Sequence, residues 1–161
     1  MFHFVTKKSL FDDYPQNYEE LILGAGCFWG VEKIFWGLNG IWVTYVSFSG
    51  GQKSNPTYEE VCAGITGHAE TVNIIYDPKI ISTQDILKNF WECHDPTQGM
   101  RQGNDIGEQY RSVIFCTNDK QLELAMLSKQ VYEKILSRQG LTRITTEIRM
   151  KTTSYPAEGY H

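Results

Sequence analysis

Apolar residues are grouped along this chain in blocks whose period switches several times. Leu21-Ile22-Leu23 runs into Gly24-Ala25-Gly26, which predicts a buried strand over Glu20 to Gly24 that breaks into a tight turn. Directly after it, Phe28, Val31, Ile34, Phe35 and Leu38 recur at spacings of three and four until Gly40. A helix therefore begins there, with Cys27 at its N-terminus. Ile41 to Phe48 is rich in β-branched and aromatic residues and stops at Gly50-Gly51, as a strand does. Asn55-Pro56-Thr57 starts a short helical turn, and Thr71 to Tyr76 alternates as a further strand ahead of Asp77-Pro78. Ser82-Thr83-Gln84-Asp85 offers a capping-box-like helix start, and Ile86, Leu87, Phe90, Trp91 and His94 share one helical face.

Between Asp95 and Gln109, Pro96, the glycines and many polar residues follow no period, which predicts a long loop of the kind that usually carries function. Arg111 to Cys116 reads as a strand, and Asp119 to Gln139 as the longest helix, with Leu124, Leu127, Val131 and Ile135 as its apolar stripe. Thr145 to Met150 is the last strand before a polar tail. Strands and helices alternate, but one connection between strands is too short for a helical crossover. The expected fold is α+β: a two-layer α/β sandwich with a mixed sheet and a ferredoxin-like core, and long polar loops around the active site. Residues 1–161 read as one catalytic domain, with 1–19 as an N-terminal extension and 151–161 as a C-terminal tail.

Composition narrows the functions available. The 161 residues are 41% hydrophobic and 21% charged, which suits a packed globular domain, and the formal net charge of −4 gives no long-range attraction to nucleic acid or anionic lipid. Lys7 and Lys8 are not followed by an apolar run, and no stretch of about 18 apolar residues occurs, so neither an export signal nor a membrane span is expected. Cys27, Cys62, Cys93 and Cys116 form no Cys-x-x-Cys pair, which argues against a zinc ribbon and suits a reducing, cytoplasmic compartment. Metal binding through His68 and His94 lacks a ligand quartet at zinc spacing. No metal site, a cytoplasmic location and a monomer are the expectations.

Cys27 is the residue with chemistry to explain. Unpaired backbone N–H groups and the positive end of the helix dipole both favour a thiolate at that position. Position alone leaves two readings open: a nucleophile, or a small buried hydrophobe beside glycines that serve a tight turn. Taken alone, Phe28 and Trp29 read as core packing ahead of walling a pocket for an apolar group. Cys62, Cys93 and Cys116 fall in predicted helix or strand segments and read as buried structural thiols.

Gly-Cys-Phe-Trp-Gly-Val-Glu at 26–32, Asn-Pro-Thr-Tyr at 55–58, Thr-Gly-His-Ala-Glu at 66–70, His-Asp-Pro-Thr-Gln at 94–98 and Gly-Asn-Asp-Ile-Gly-Glu-Gln-Tyr-Arg-Ser at 103–112 resemble, in order and spacing, the A-type peptide methionine sulfoxide reductases. The likeness runs from about Leu21 through Tyr155-Pro156-Ala157-Glu158-Gly159-Tyr160-His161. It implies reduction of the S epimer of methionine sulfoxide, free or in proteins, as repair of oxidative damage. By that resemblance Cys27 is the nucleophile, Glu70 the proton donor to the sulfoxide oxygen, and Tyr58 and Tyr110 hydrogen-bond donors to it. Asp105 would hold the substrate backbone or a bridging water, and Phe28 with Trp29 would receive the S-methyl group. No bound cofactor is implied. The reductant is an external thiol, thioredoxin, with glutaredoxin or glutathione as alternatives. Ser47-Phe48-Ser49-Gly50-Gly51 departs from the family's common Gly-Tyr-x-Gly-Gly.

The chemistry asks for such parts on its own account. A sulfoxide sulfur accepts a thiolate only when its oxygen is protonated or strongly hydrogen-bonded. A thiolate and a carboxylate about 6 Å apart repel by about 3 kcal/mol at an effective dielectric near 20. Glu70 is therefore expected to hold its proton through burial and the nearby thiolate, or to share one proton with Cys27 until substrate arrives. Two other classes compete: a cysteine hydrolase with His68 or His94 as base, and a non-catalytic module that binds oxidised methionine through the aromatic pair.

Overall fold

The computed structural model describes residues 17–141 and 143–157. Most of the expected N-terminal extension and the end of the C-terminal tail lie outside the described residues. Eight strands and four α-helices follow in the order β1 (Glu19–Ala25), α1 (Phe28–Phe35), β2 (Ile41–Ser49), α2 (Tyr58–Cys62), β3 (Ala69–Tyr76), α3 (Thr83–Glu92), β4 (Arg101–Gln102), β5 (Asp105–Ile106), β6 (Ser112–Cys116), α4 (Asp119–Arg138), β7 (Glu147–Met150) and β8 (Ser154–Pro156). A single 3-10 turn, Glu108–Tyr110, precedes β6.

Six strands form one sheet in the order β7-β6-β1-β3-β2-β8, antiparallel except for the β6–β7 pair. Its centre, β6-β1-β3-β2 with α1 and α3 as the crossovers, is the split βαβ arrangement of a ferredoxin-like core, so the expected α+β class with a mixed sheet is what forms. The sheet faces are built by alternation along β3. Val72, Ile74 and Tyr76 turn toward the helices and pack with Phe28, Phe35, Ile86 and Phe90, all buried. On the other face Ile22, Ala69, Val113 and Phe115 form a small second cluster, with the Arg149 guanidinium 5.0 Å above the Phe115 ring.

That second face explains the unusual serines of β2. Ser47 and Ser49 are fully buried and hydrogen-bond to Thr71, and Ser49 also reaches Ser154 on β8, 2.8 Å away. Their hydroxyls satisfy one another in a layer where water is excluded. β8 itself falls in what the sequence reads as tail; its Pro156 is tolerated because β8 is an edge strand.

Three further expectations are corrected. The segment 95–109 is not structureless: β4 and β5 pair as a hairpin inside it, and Asp95 organises it by accepting from Thr97 and Gln98. α1 stops at Phe35, short of Leu38. On α4 only Leu124 of the predicted stripe packs against the core; Leu127, Val131 and Ile135 are exposed while Gln121 and Ala125 are buried. Gln121 goes inside because its amide is fully used, donating to Glu19 Oε1, the Glu20 carbonyl and Tyr76 Oη and accepting from the Thr117 N–H. Among the described residues no helix is long and apolar enough to cross a membrane.

Candidate active site

Strand order decides where the chemistry gathers. β1 runs antiparallel to both β3 and β6, with Leu23 opposite Val72 and Ala25 opposite Ser112. The C-terminal end of β1 therefore lies beside the N-terminal ends of β3 and β6, which brings the Gly26-Cys27 turn, Glu70 and the Gln109-Tyr110 segment to one end of the sheet. Gly26 makes the turn in the left-handed region, at φ +101, where a side chain is strained and would also press on the Gln102 side chain. Cys27 follows as the N-cap of α1, with an exposed side chain that makes no capping hydrogen bond.

The next residue ties Cys27 to Glu70. The Phe28 N–H, one of the unpaired donors of the first helical turn, donates to Glu70 Oε1 at 3.2 Å. Glu70 projects from β3 on the helix-covered face and is only 2% exposed. Burial drives its carboxyl up to about 7, and the nearby Asp105 carboxylate adds to the effect. Hydrogen bonds from Phe28 and from Gln109 pull the other way without overcoming burial. Burial was the expected cause; the neighbouring charge that adds to it is that of Asp105.

Two phenols complete the cluster. Tyr58 opens α2, whose N-terminus is fixed by a capping box between Thr57 and Glu60. Its hydroxyl is held well above the usual range, first by a hydrogen bond with Cys62 and then by burial, with Glu70 and Tyr110 contributing. Tyr110 sits on the 3-10 turn; burial, followed by the charge of Glu70, pushes its hydroxyl up. Both phenols keep their protons at neutral pH and are therefore O–H donors. Asp105 lies exposed on the hairpin strand β5, and its charge is felt by both Glu70 and Tyr110. Phe28 is buried, 5.7 Å from the Phe48 ring, and meets Trp29 edge to face at 6.0 Å. Trp29 is 41% exposed and leaves an aromatic surface open beside Cys27.

Two members escaped sequence reasoning. Cys62 is exposed rather than buried, and Gln109 Nε2 lies 3.4 Å from both Cys62 Sγ and Glu70 Oε2. The tyrosine four residues before Cys62 was the available signal, since positions i and i+4 meet on a helix. Cys93 and Cys116 do behave as structural thiols: burial drives each up to about 11.

The histidines are engaged elsewhere. His68 Nδ1 accepts from the Gly51 N–H and Nε2 donates to the Lys53 carbonyl at 2.7 Å. The close approach there demands Gly51, whose Cβ would fall 2.4 Å from the backbone of Thr66 and His68. His94 Nδ1 donates to the Phe90 carbonyl and Nε2 accepts from Ser112, so neither imidazole is turned to Cys27 as a hydrolase base would be. Among the described residues no group of three or more His, Cys, Asp or Glu is placed to hold a metal ion.

Comparison with known proteins returns one family throughout. The sequence pattern described as "Peptide methionine sulfoxide reductase" matches residues 19–161. The protein named "Peptide methionine sulfoxide reductase MsrA" from Photobacterium profundum is 58% identical over 160 residues, 99% of this chain and 76% of that one. The solved structure of methionine sulfoxide reductase A of Corynebacterium diphtheriae is 40% identical, with a TM-score of 0.91 over 97% of this chain and 76% of that one. Reduced Mxr1 from Saccharomyces cerevisiae is 30% identical at a TM-score of 0.86, covering 93% of this chain and 85% of its own. Mxr1 has also been solved in complex with Trx2; that structure is 22% identical, with a TM-score of 0.69 over 95% of this chain and 91% of its own.

Proposed function

Since the chain belongs to the peptide methionine sulfoxide reductase family, we propose that it reduces the S epimer of methionine sulfoxide with Cys27 as nucleophile and Glu70 as acid. The observation that carries this reading is a buried carboxyl that keeps its proton to about pH 7, hydrogen-bonded to the N–H of the residue after an exposed thiol. A sulfoxide needs a proton on one side while a sulfur attacks from the other.

The substrate's methyl group rests against the aromatic surface of Phe28 and Trp29, and its oxygen points to Glu70, Tyr58 and Tyr110. Asp105, at the open side, holds the substrate backbone or a water bridging to it. The Cys27 thiolate attacks the sulfoxide sulfur as Glu70 gives its proton to the oxygen, and the two phenolic O–H groups stabilise the charge that develops there. The hydroxyl then passes to the Cys27 sulfur as the sulfur–sulfur bond breaks, which leaves methionine and a cysteine sulfenic acid. Glu70, now a carboxylate, is reprotonated from solvent. A dithiol reductant attacks the sulfenic sulfur and expels water, and its second thiol then frees Cys27 from the mixed disulfide. The yeast relative's complex with Trx2 supports a thioredoxin as that reductant; a dithiol glutaredoxin offers the same chemistry, and with glutathione a second molecule would resolve the mixed disulfide.

Pure protein mixed with a methionine sulfoxide peptide and no reductant tests the reading. About one methionine forms per chain, and Cys27 gains one oxygen atom. Methionine in no detectable amount would falsify it. Binding of the peptide without turnover would instead mark a recognition module.

A further inference from the structure

Gln109 has no part in the scheme above, yet it is nearly buried at 5% exposure and its side chain runs into the acid. The 3-10 turn that carries it is pinned from several sides. The Gly67 N–H donates to the Glu108 carboxylate, and the Arg111 guanidinium donates to the carbonyls of Glu108 and Gly67. The backbone that carries Gln109 is therefore held in place.

A primary amide nitrogen carries two N–H bonds; Glu70 Oε2 and Cys62 Sγ each lie 3.4 Å from it, and the same side chain also hydrogen-bonds with the Tyr110 hydroxyl. Glu70 Oε1 accepts from the Phe28 N–H, and Oε2 is the oxygen that faces Gln109. An N–H directed at that oxygen favours the carboxylate, the form that remains after the proton has gone to the substrate. The sulfur of Cys62 holds the amide in the orientation that directs nitrogen, and not oxygen, at the acid. The same sulfur is the partner of Tyr58, so the amide links the acid to one of the two phenols.

We propose that Gln109 is a positioning residue for the acid, its two amide N–H groups spanning Glu70 Oε2 and Cys62 Sγ so that the carboxyl is fixed toward the substrate and releases its proton readily. This rests on reading Glu70 as the proton donor. Burial and Asp105 hold the proton on Glu70, and the Phe28 N–H together with Gln109 opposes them. The other titratable groups that act on Glu70 are Asp105 from β5, Tyr58 from α2 and Tyr110 from the 3-10 turn; Cys62, beside Tyr58 and Gln109, lies next to them.

Infrared difference spectroscopy, which follows the protonated Glu70 carboxyl against pH with Glu70→Gln to assign its band, tests the coupling without using activity. In Gln109→Met, which keeps the length and loses the amide, the midpoint rises by about half a pH unit or more. The alkaline limb of the single-turnover rate moves up with it. Cys62→Ala, at an exposed position, moves the midpoint the same way by less and covers the case in which Gln109→Met does not fold. An unchanged or lowered midpoint in the folded variants overturns the proposal. If instead the midpoint rises while Glu70→Gln leaves sulfoxide reduction intact, the coupling stands and the assignment of Glu70 as acid falls.

Discussion

Glu70→Gln makes the protein more stable at alkaline pH while disabling it, and the size of the gain follows from the site. Burial lifts the folded-state carboxyl to about 7 from 4.5. The folded chain therefore keeps a proton that the unfolded chain has released, and the associated stability is complete below 4.5 and lost as pH rises to about 7. At about 1.4 kcal/mol per pH unit the loss is about 3 kcal/mol by pH 8. Glutamine is a neutral stand-in of the same shape and still accepts from the Phe28 N–H, but its own N–H groups would face Gln109 and cost about 1 kcal/mol at every pH. The difference in unfolding free energy between Glu70→Gln and the parent thus grows by about 3 kcal/mol from pH 4.5 to pH 8, a change in melting temperature on the order of 8 °C. Urea unfolding at the two pH values measures it. A difference that does not change with pH refutes the claim that Glu70 is a buried neutral acid. The same variant loses about a hundredfold or more in single-turnover rate, the usual worth of a general acid.

His94 gives the opposite pH trend. Burial pushes its imidazole down to about 4 from 6.5, so its contribution is present above 6.5 and is lost as pH falls to 4, again by about 3 kcal/mol. In the Glu70→Gln background, where the compensating carboxyl is gone, urea unfolding shows this acid loss, and His94→Asn flattens it. Thiol labelling of the native protein reaches Cys27 and Cys62 quickly, the half-buried Cys93 more slowly, and Cys116 only on unfolding; fast labelling of Cys116 contradicts its described burial. Leu127→Lys and Val131→Lys on the exposed side of α4 change stability by no more than about 0.5 kcal/mol, while Phe90→Ala in the core costs about 3 kcal/mol or more in the same unfolding assay.

Strands β1, β2 and β3 were legible because their apolar runs end at glycine or proline, β6 because its apolar run stops at Thr117-Asn118-Asp119, and the thiol at the start of α1 because glycines bracket it. β4 and β5 have two residues each, too few for any period to register. On α4, hydrophobicity pointed to Leu127 and Val131, but tertiary hydrogen bonds made Gln121 the better residue to bury. The site divides in the same way. The motif likeness pointed to Glu70, Tyr58, Tyr110 and Asp105, and strand order with the pinned turn brings them together with Gln109 and Cys62, whose contacts span chain separations no local pattern encodes. Ser47 departs from the family pattern where the paired face of β3 offers its hydroxyl the partners Thr71 and Asn73.

The most direct test is Cys27→Ser, which exchanges sulfur for oxygen at one position in an exposed side chain. Incubated with a methionine sulfoxide peptide and excess dithiol, the folded variant should release no methionine above the uncatalysed background. Release at the parent rate would mean that another group attacks the sulfoxide.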